Sequence, residues 1–96
     1  MMIGQYVIVR TYSAGVFAGI LEAFKGKQAT IRSARRLWRW SGAASLSQLA
    51  ETGTSDPSGC KFPEEVDQII VTEVVEILSV TKIAKDSIAG VAVWKI

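Results

Sequence analysis

The start of the chain follows the two-residue alternation of a strand. Tyr6, Ile8, Arg10 and Tyr12 share one parity and Val7, Val9 and Thr11 the other, with β-branched residues enriched, so residues 5–12 read as a strand. Ser13-Ala14-Gly15 supplies a turn, and "VFAGILEAF" (16–24) returns as a second strand. Gly19 inside that strand marks a bulge or a close backbone approach. Lys25-Gly26-Lys27 is another turn, so a third strand begins near Gln28 and the first three form an antiparallel meander.

The third strand runs into "RSARRLWRWSGAASLSQLA" (32–50), where two periods compete. Helical spacing places Arg32, Arg35, Arg36 and Arg39 on one stripe. Strand spacing places Arg36, Trp38 and Trp40 on one side and Arg35, Leu37 and Arg39 on the other. The strand, over 28–40, is preferred because it follows a tight turn and contains Thr30, Ile31 and two Trp. Its alternation slips at Ser33–Ala34, which predicts a bulge there.

Beyond Trp40 the residues become small and polar. Ser45-Leu46-Ser47-Gln48 has the capping-box spacing, Leu46, Leu49 and Ala50 give an apolar face, and Gly53 suits a stop, so a short helix is predicted over 46–52. "TSDPSGCKFP" is a loop. Residues 66–78 are the most strand-like run of all. Both parities are largely apolar, which predicts a strand that is central or lies at a subunit contact. Thr81 caps a second helix, 82–89, which Gly90 ends, and "VAVWKI" closes the chain as a strand over 91–95. The predicted class is α+β: five mainly antiparallel strands and two short helices in one domain, 1–96.

Composition sharpens this picture. With 49% hydrophobic residues in 96, including three Trp and three Phe, and only about 60–65% of the unfolded surface buried at this size, apolar patches should remain outside. Such patches favour association, so a homo-oligomer is expected. One cysteine, Cys60, permits no intrachain disulfide. The amino terminus lacks the pattern of a secretory signal, and no apolar run approaches the roughly 20 residues of a membrane span. The expected location is the cytoplasm, with no membrane partner.

The absence of histidine removes Ser–His and Cys–His nucleophilic pairs and His-bearing zinc sites. A non-enzymatic role without metal or cofactor is therefore expected. The net charge of +2 divides unevenly: residues 1–48 carry seven Lys/Arg against Glu22 alone, and residues 49–96 carry four Lys against eight acids. If the halves segregate in space, the first presents a cationic surface suited to phosphates.

That surface is the candidate site. A strand end, a small-residue run and a helix start can together bind an anion through free amides. The glycine spacing is not that of a P-loop. Arg35, Arg36 and Arg39 are candidate phosphate partners, and Trp38, Trp40 and Tyr12 are candidate stacking surfaces. Ser41, Gly42 and Ser45 would supply amides and hydroxyls. Interleaved Arg and Trp on a sheet also suit single-stranded nucleic acid. The bland alternative is that the tryptophans are core and the arginines a solvated face paired with acids such as Glu73 and Glu76.

The blocks "VRTYSAGVFAG" (9–19), "ARRLWRWSGAASLSQLA" (34–50), "CKF" (60–62) and "TEVVEIL" (72–78) together resemble a family of small tailed-bacteriophage proteins of uncharacterised function. The resemblance assigns no catalytic residue. It implies a host bacterial cytoplasm and, by analogy with phage proteins that sequester signals, a ligand such as a host immune nucleotide: a cyclic oligonucleotide or an ADP-ribose derivative, bound without turnover. Single-stranded nucleic-acid binding and a structural interaction module are the alternatives.

Overall fold

The computed structural model describes residues 2–96. Its elements are β1 (Tyr6–Thr11), β2 (Val16–Lys25), β3 (Gln28–Arg36), α1 (Leu46–Thr52), a 3-10 turn (Pro57–Gly59), β4 (Val66–Val71), β5 (Val74–Ser79) and α2 (Lys82–Ala89). Every pairing in the sheet is antiparallel, in the order β4-β3-β2-β1-β5. The fold is α+β, as the periodicity predicts.

β4 and β5 occupy opposite edges of that order although only Thr72 and Glu73 separate them. In a flat five-stranded sheet the edges would lie about 19 Å apart. The steps from Val71 to Val74 reach at most about 11 Å. The sheet must therefore curl until its edges approach, giving a partly closed barrel with a seam between β4 and β5. The hinge is tied to both hairpin turns: Val74 N donates to Lys27 O at 2.9 Å, and Tyr12 N to Glu73 O at 2.9 Å.

Curling needs a bend, and the β2–β3 pair provides one. Register jumps from Ala18↔Arg35 to Ile20↔Arg32, leaving Gly19 against Ser33 and Ala34. Ser33 takes a positive φ of 52°. A Cβ on Gly19 would sit 2.6 Å from Ile31 Cγ2 and 2.8 Å from Arg32 O, so only glycine fits this approach. The bulge predicted at Ser33–Ala34 and the approach predicted at Gly19 are the two sides of one feature.

Both faces of the curled sheet are buried. Inside lie Val7, Val9, Phe17, Leu21, Ile31 and Val71. Outside, Ile8, Ala18 and Leu37 pack under Leu49, Phe62, Ile88 and Val91 from the helices and the loop segment. Ser45 caps α1, Gln48 N donating to Ser45 Oγ at 3.1 Å, and Gln48 Oε1 reaches back one residue beyond the capping-box partner to accept from Ala44 N at 2.7 Å. Thr81 caps α2 by accepting from Ala84 N at 3.1 Å. It also donates to Glu51 O at 2.7 Å, so one residue starts α2 and satisfies the end of α1. Among the described residues no helix is long and apolar enough to cross a membrane.

Three predicted strands differ from the structure. Residues 66–78 are not one central strand but the two edge strands. The inward positions run Ile69, Val71, then Val74, Ile77, so the period-2 phase breaks at Thr72–Glu73 and again just after Val74, where the register with β1 shifts; apolar residues of both parities concealed both breaks. The third strand ends at Arg36 rather than Trp40, because β2 begins at Val16 and offers no partner beyond Leu37. Residues 91–95 form no strand. Their neighbour is the irregular 60–62 segment, which supports only an isolated parallel bridge, Phe62↔Val93.

Candidate functional site

Strand alternation at the end of β3 sends neighbouring residues to opposite fates. Arg35 and Leu37 are buried, while Arg36 and Trp38 are exposed. Arg35, 6% exposed, donates from Nε to Pro63 O (3.1 Å), from Nη1 to Ile88 O (2.9 Å) and from Nη2 to Phe62 O (3.2 Å) and Val91 O (2.6 Å). Four of its five N–H groups are thus used on carbonyls. Ile88 O belongs to the last turn of α2, where a cation is favoured. Burial lowers the pKa of Arg35, against the raising influence of Tyr6, Glu65 and Cys60. The first candidate phosphate partner is thereby committed to joining β3, the 62–63 segment and the end of α2.

Beyond β3 three extended segments lie side by side. Arg39 and Lys61 exchange backbone hydrogen bonds, Arg39 N to Lys61 O at 3.3 Å and Lys61 N to Arg39 O at 2.7 Å. Trp94 N donates to Phe62 O at 3.0 Å on the other side. Cys60 and Phe62 are buried, so Lys61 between them is turned outward. This layer sets Trp38 and Trp94 against each other as a parallel stack, with centroids 5.0 Å apart and planes 4° apart. They remain 57% and 45% exposed. Lys61 Nζ lies 5.5 Å from the Trp38 ring and 5.3 Å from the Trp94 ring.

The cations here are free of acids. Arg10, Arg32 and Lys82 are taken up by Glu76, Glu22 and Asp86. Arg36, Arg39 and Lys61 have no carboxylate partner among the described residues. Arg36 lies exposed over the Phe17 ring, its guanidinium carbon 4.7 Å from the centroid. Trp40 leaves the face and packs, half buried, on the outer core.

The other predicted site residues are not brought to this face. Tyr12, 82% exposed, lines a separate groove with Lys27 and Glu73. Residues 41–45 are occupied by their own fold. Ser41 Oγ donates to Asp56 Oδ2 at 2.9 Å, and Thr54 Oγ1 donates to Ser41 O. Gly42 O accepts from Ser55 N at 3.1 Å, and the Ser45 hydroxyl caps α1. The run expected to cradle phosphate is clasped by the 54–60 loop.

Sequence reading misses Trp94 and Lys61. The sequence offers only a weak sign of each, a large aromatic in "VAVWKI" and a cation between Cys60 and Phe62, and neither shows that the two residues meet Trp38. It also misses a recess of about 410 Å3 whose polar lining is Tyr6, Ser33, Arg35, Glu65 and Lys85. Burial raises the Tyr6 pKa to about 12, opposed by Arg35 and reinforced by Glu65. Lys85 Nζ stands 5.6 Å from its ring centroid.

The chain belongs to the DUF6948 family, described as a domain of unknown function, whose model matches residues 4–88. The match takes in Trp38, Lys61 and the polar lining of the recess, and ends before Val91–Trp94. No curated protein matches the sequence.

Proposed function

We propose that this protein binds single-stranded nucleic acid without chemistry on it, seating a base on the Trp38–Trp94 face and meeting the adjoining phosphates with Lys61, Arg39 and Arg36. The observation that carries this reading is the exposed, parallel indole pair with a cation against both rings. Stacking on aromatic side chains contributes about 1–3 kcal/mol per base. The face is open, which suits a polymer lying across it; small-molecule sites enclose most of their ligand.

A second reading has its own support. Two indoles and three cations match the size of one or two nucleotides, so a host immune nucleotide held by a phage-encoded protein in the bacterial cytoplasm fits the same residues. Self-association belongs to both readings. Among the described residues the outer edges of β4 and β5 have no strand partner, and these strands carry exposed Val66, Ile70 and Val75. Sedimentation equilibrium checks it, and a 10.4 kDa species alone would count against it.

Titrating intrinsic tryptophan fluorescence with oligo-dT of increasing length, and separately with cyclic dinucleotides and ADP-ribose, tests the function. Saturable quenching by oligo-dT, with affinity rising with length and a log–log salt slope of about −2 for three phosphate contacts, supports the polymer. Equal affinity for a dinucleotide and a long oligomer supports the second reading. No quenching by any of them, or quenching that Trp38→Ala leaves unchanged, removes both. Recovery of a cleaved ligand would make the protein an enzyme instead.

A further inference from the structure

On the far side of the Val91–Trp94 segment from the indole pair, a recess of about 410 Å3 lies between the outer face of the sheet and the end of α2. Alternation assigns the segment to both regions, because Val91 and Val93 line the recess while Trp94 stacks on Trp38. From this recess we infer a second, independent binding site, for a small organic acid with an anionic head and an apolar body.

The polar lining is the first reason. Among the described residues the side chains of Tyr6, Ser33, Glu65 and Lys85 make no hydrogen bond or salt bridge, and Arg35 retains one unused Nη1 N–H. This contrasts with the neighbouring 41–60 region, where the Ser41, Ser45, Thr54, Ser55 and Asp56 side chains are all engaged. Three of these four unengaged side chains, Tyr6, Ser33 and Lys85, together with the spare Arg35 N–H, place hydrogen-bond donors on one recess. Arg35 and Lys85 only donate, the Tyr6 and Ser33 hydroxyls can donate, and the carboxylate of the lining, Glu65, is exposed at the rim.

Backbone geometry is the second reason. Ser33 occupies the left-handed region, at φ 52°, where a β-carbon is disfavoured. Glycine would relieve that backbone; serine adds a hydroxyl to the lining instead. Non-glycine residues held this way cluster at ligand sites.

The walls define the rest of the ligand. Ile20, Ala89, Val91 and Val93 supply apolar surface, and a recess of this volume lies at the lower end of small-molecule sites. Two cations against one rim acid favour a carboxylate or a phosphate monoester over a neutral or cationic head.

Amide chemical shifts of the full chain, followed during titration with phenylacetate, phenyl phosphate and benzyl alcohol, provide the test. Both acids share an apolar ring and differ in the head; the alcohol lacks the charge. Saturable shifts at Ser33, Lys85 and Val91 with at least one acid, and binding at least about tenfold weaker for benzyl alcohol, are the expected result. The tighter acid identifies the head. Lys85→Gln should weaken binding about fivefold or more, Tyr6→Phe should weaken it several-fold, and Glu65→Gln should strengthen it. Lys85 and Glu65 are exposed and the Tyr6 hydroxyl has no partner, so these variants retain the fold, which an unchanged melting temperature verifies. No saturable shift with either acid up to tens of millimolar, equal binding of the alcohol, or indifference to Lys85→Gln each overturns the site. Trp38→Ala should leave acid binding unchanged, so this test and that of the nucleic-acid face fail separately.

Discussion

Arg35 and Trp38 stand three positions apart and serve opposite ends. The arginine, which the sequence offers as a ligand contact, is buried and holds four carbonyls; the tryptophan, whose bland reading is a core residue, is more than half exposed. The contrast shows that residue type does not separate holding from reaching in this stretch; position on the strand does. The two are also coupled. Arg35 binds Phe62 O and Val91 O, and Phe62 O in turn receives Trp94 N. The arginine therefore fixes the segment from which Trp94 meets Trp38.

The most severe way to break the comparison is to remove the holding residue. Arg35→Met keeps much of the side-chain volume but leaves the carbonyls of Phe62, Pro63, Ile88 and Val91 without their donor. The expected loss is about 3–5 kcal/mol of stability, as for breaking a buried charged network from one side, measured by urea denaturation. The same variant should lose nucleic-acid affinity through displacement of Trp94. A stability loss below about 1 kcal/mol would mean that the carbonyls find water instead, and Arg35 would return to the list of ligand contacts.

Alkaline pH probes the recess beside Arg35. The Tyr6 phenol has a folded pKa of about 12 against the ordinary 10.0, so the folded state retains the proton over a range in which the unfolded chain loses it. Between those values the unfolded state binds fewer protons, and stability falls as pH rises. The contribution is complete below pH 10 and lost by about pH 12, with a magnitude of about 2–3 kcal/mol. Comparing wild type with Tyr6→Phe by denaturation at pH 9 and near pH 11.5 isolates it, and parallel pH profiles would show that Tyr6 is no more buried than an ordinary surface phenol.

Legibility followed sequence distance. The first hairpins, the Gly19–Ser33 bulge and both helix caps were readable, because turn glycines, Ser45 with Gln48, and Thr81 act within a few residues of themselves. The division of 66–78 was not. Its apolar residues of both parities mimic one two-faced strand, and the cause of the break is barrel closure, which joins segments far apart in the chain. The site divides in the same way. Alternation placed Arg36 and Trp38 together, but it set Arg39 on the opposite side with the buried Arg35 and Leu37, whereas Arg39 is exposed because β3 ends at Arg36. Trp94 and Lys61 depend on the pairing of 38–40, 60–62 and 93–94, and no local pattern announces that. The role of Arg35 was hidden for a related reason: its partners are backbone carbonyls, which leave no mark in a sequence.

A gentler change separates the indole pair from the fold beneath it. Trp94→Ala removes one half of the stack and should reduce affinity for oligo-dT by about 1–3 kcal/mol, a loss of roughly 5- to 150-fold. Its cost to the fold should be smaller, about 0.5–1.5 kcal/mol for the lost aromatic pair, because both rings stand half in water. If the stability cost exceeds the binding cost, Trp94 belongs with Arg35 among the residues that hold.

Arg36 gives the smallest and most discriminating effect, since it lies between the two roles. Its guanidinium covers the ring of Phe17, itself buried in the barrel interior, and yet it is exposed without an acidic partner. An exposed cation–π contact contributes about 0.5–1 kcal/mol, so Arg36→Ala should cost the fold no more than that. If Arg36 also meets a phosphate, the same variant should flatten the log–log salt dependence of oligo-dT binding by about 0.7, one counterion's share on a single strand. Arg36→Lys distinguishes the two contributions. It restores the charge and hence the slope, but an ammonium lacks the planar group that stacks on the ring and recovers only part of the contact, so part of the stability deficit should persist. A slope that stays constant across all three proteins would place Arg36 with Arg35, as a cation used by the fold alone, and would reduce the phosphate contacts of the face to Lys61 and Arg39.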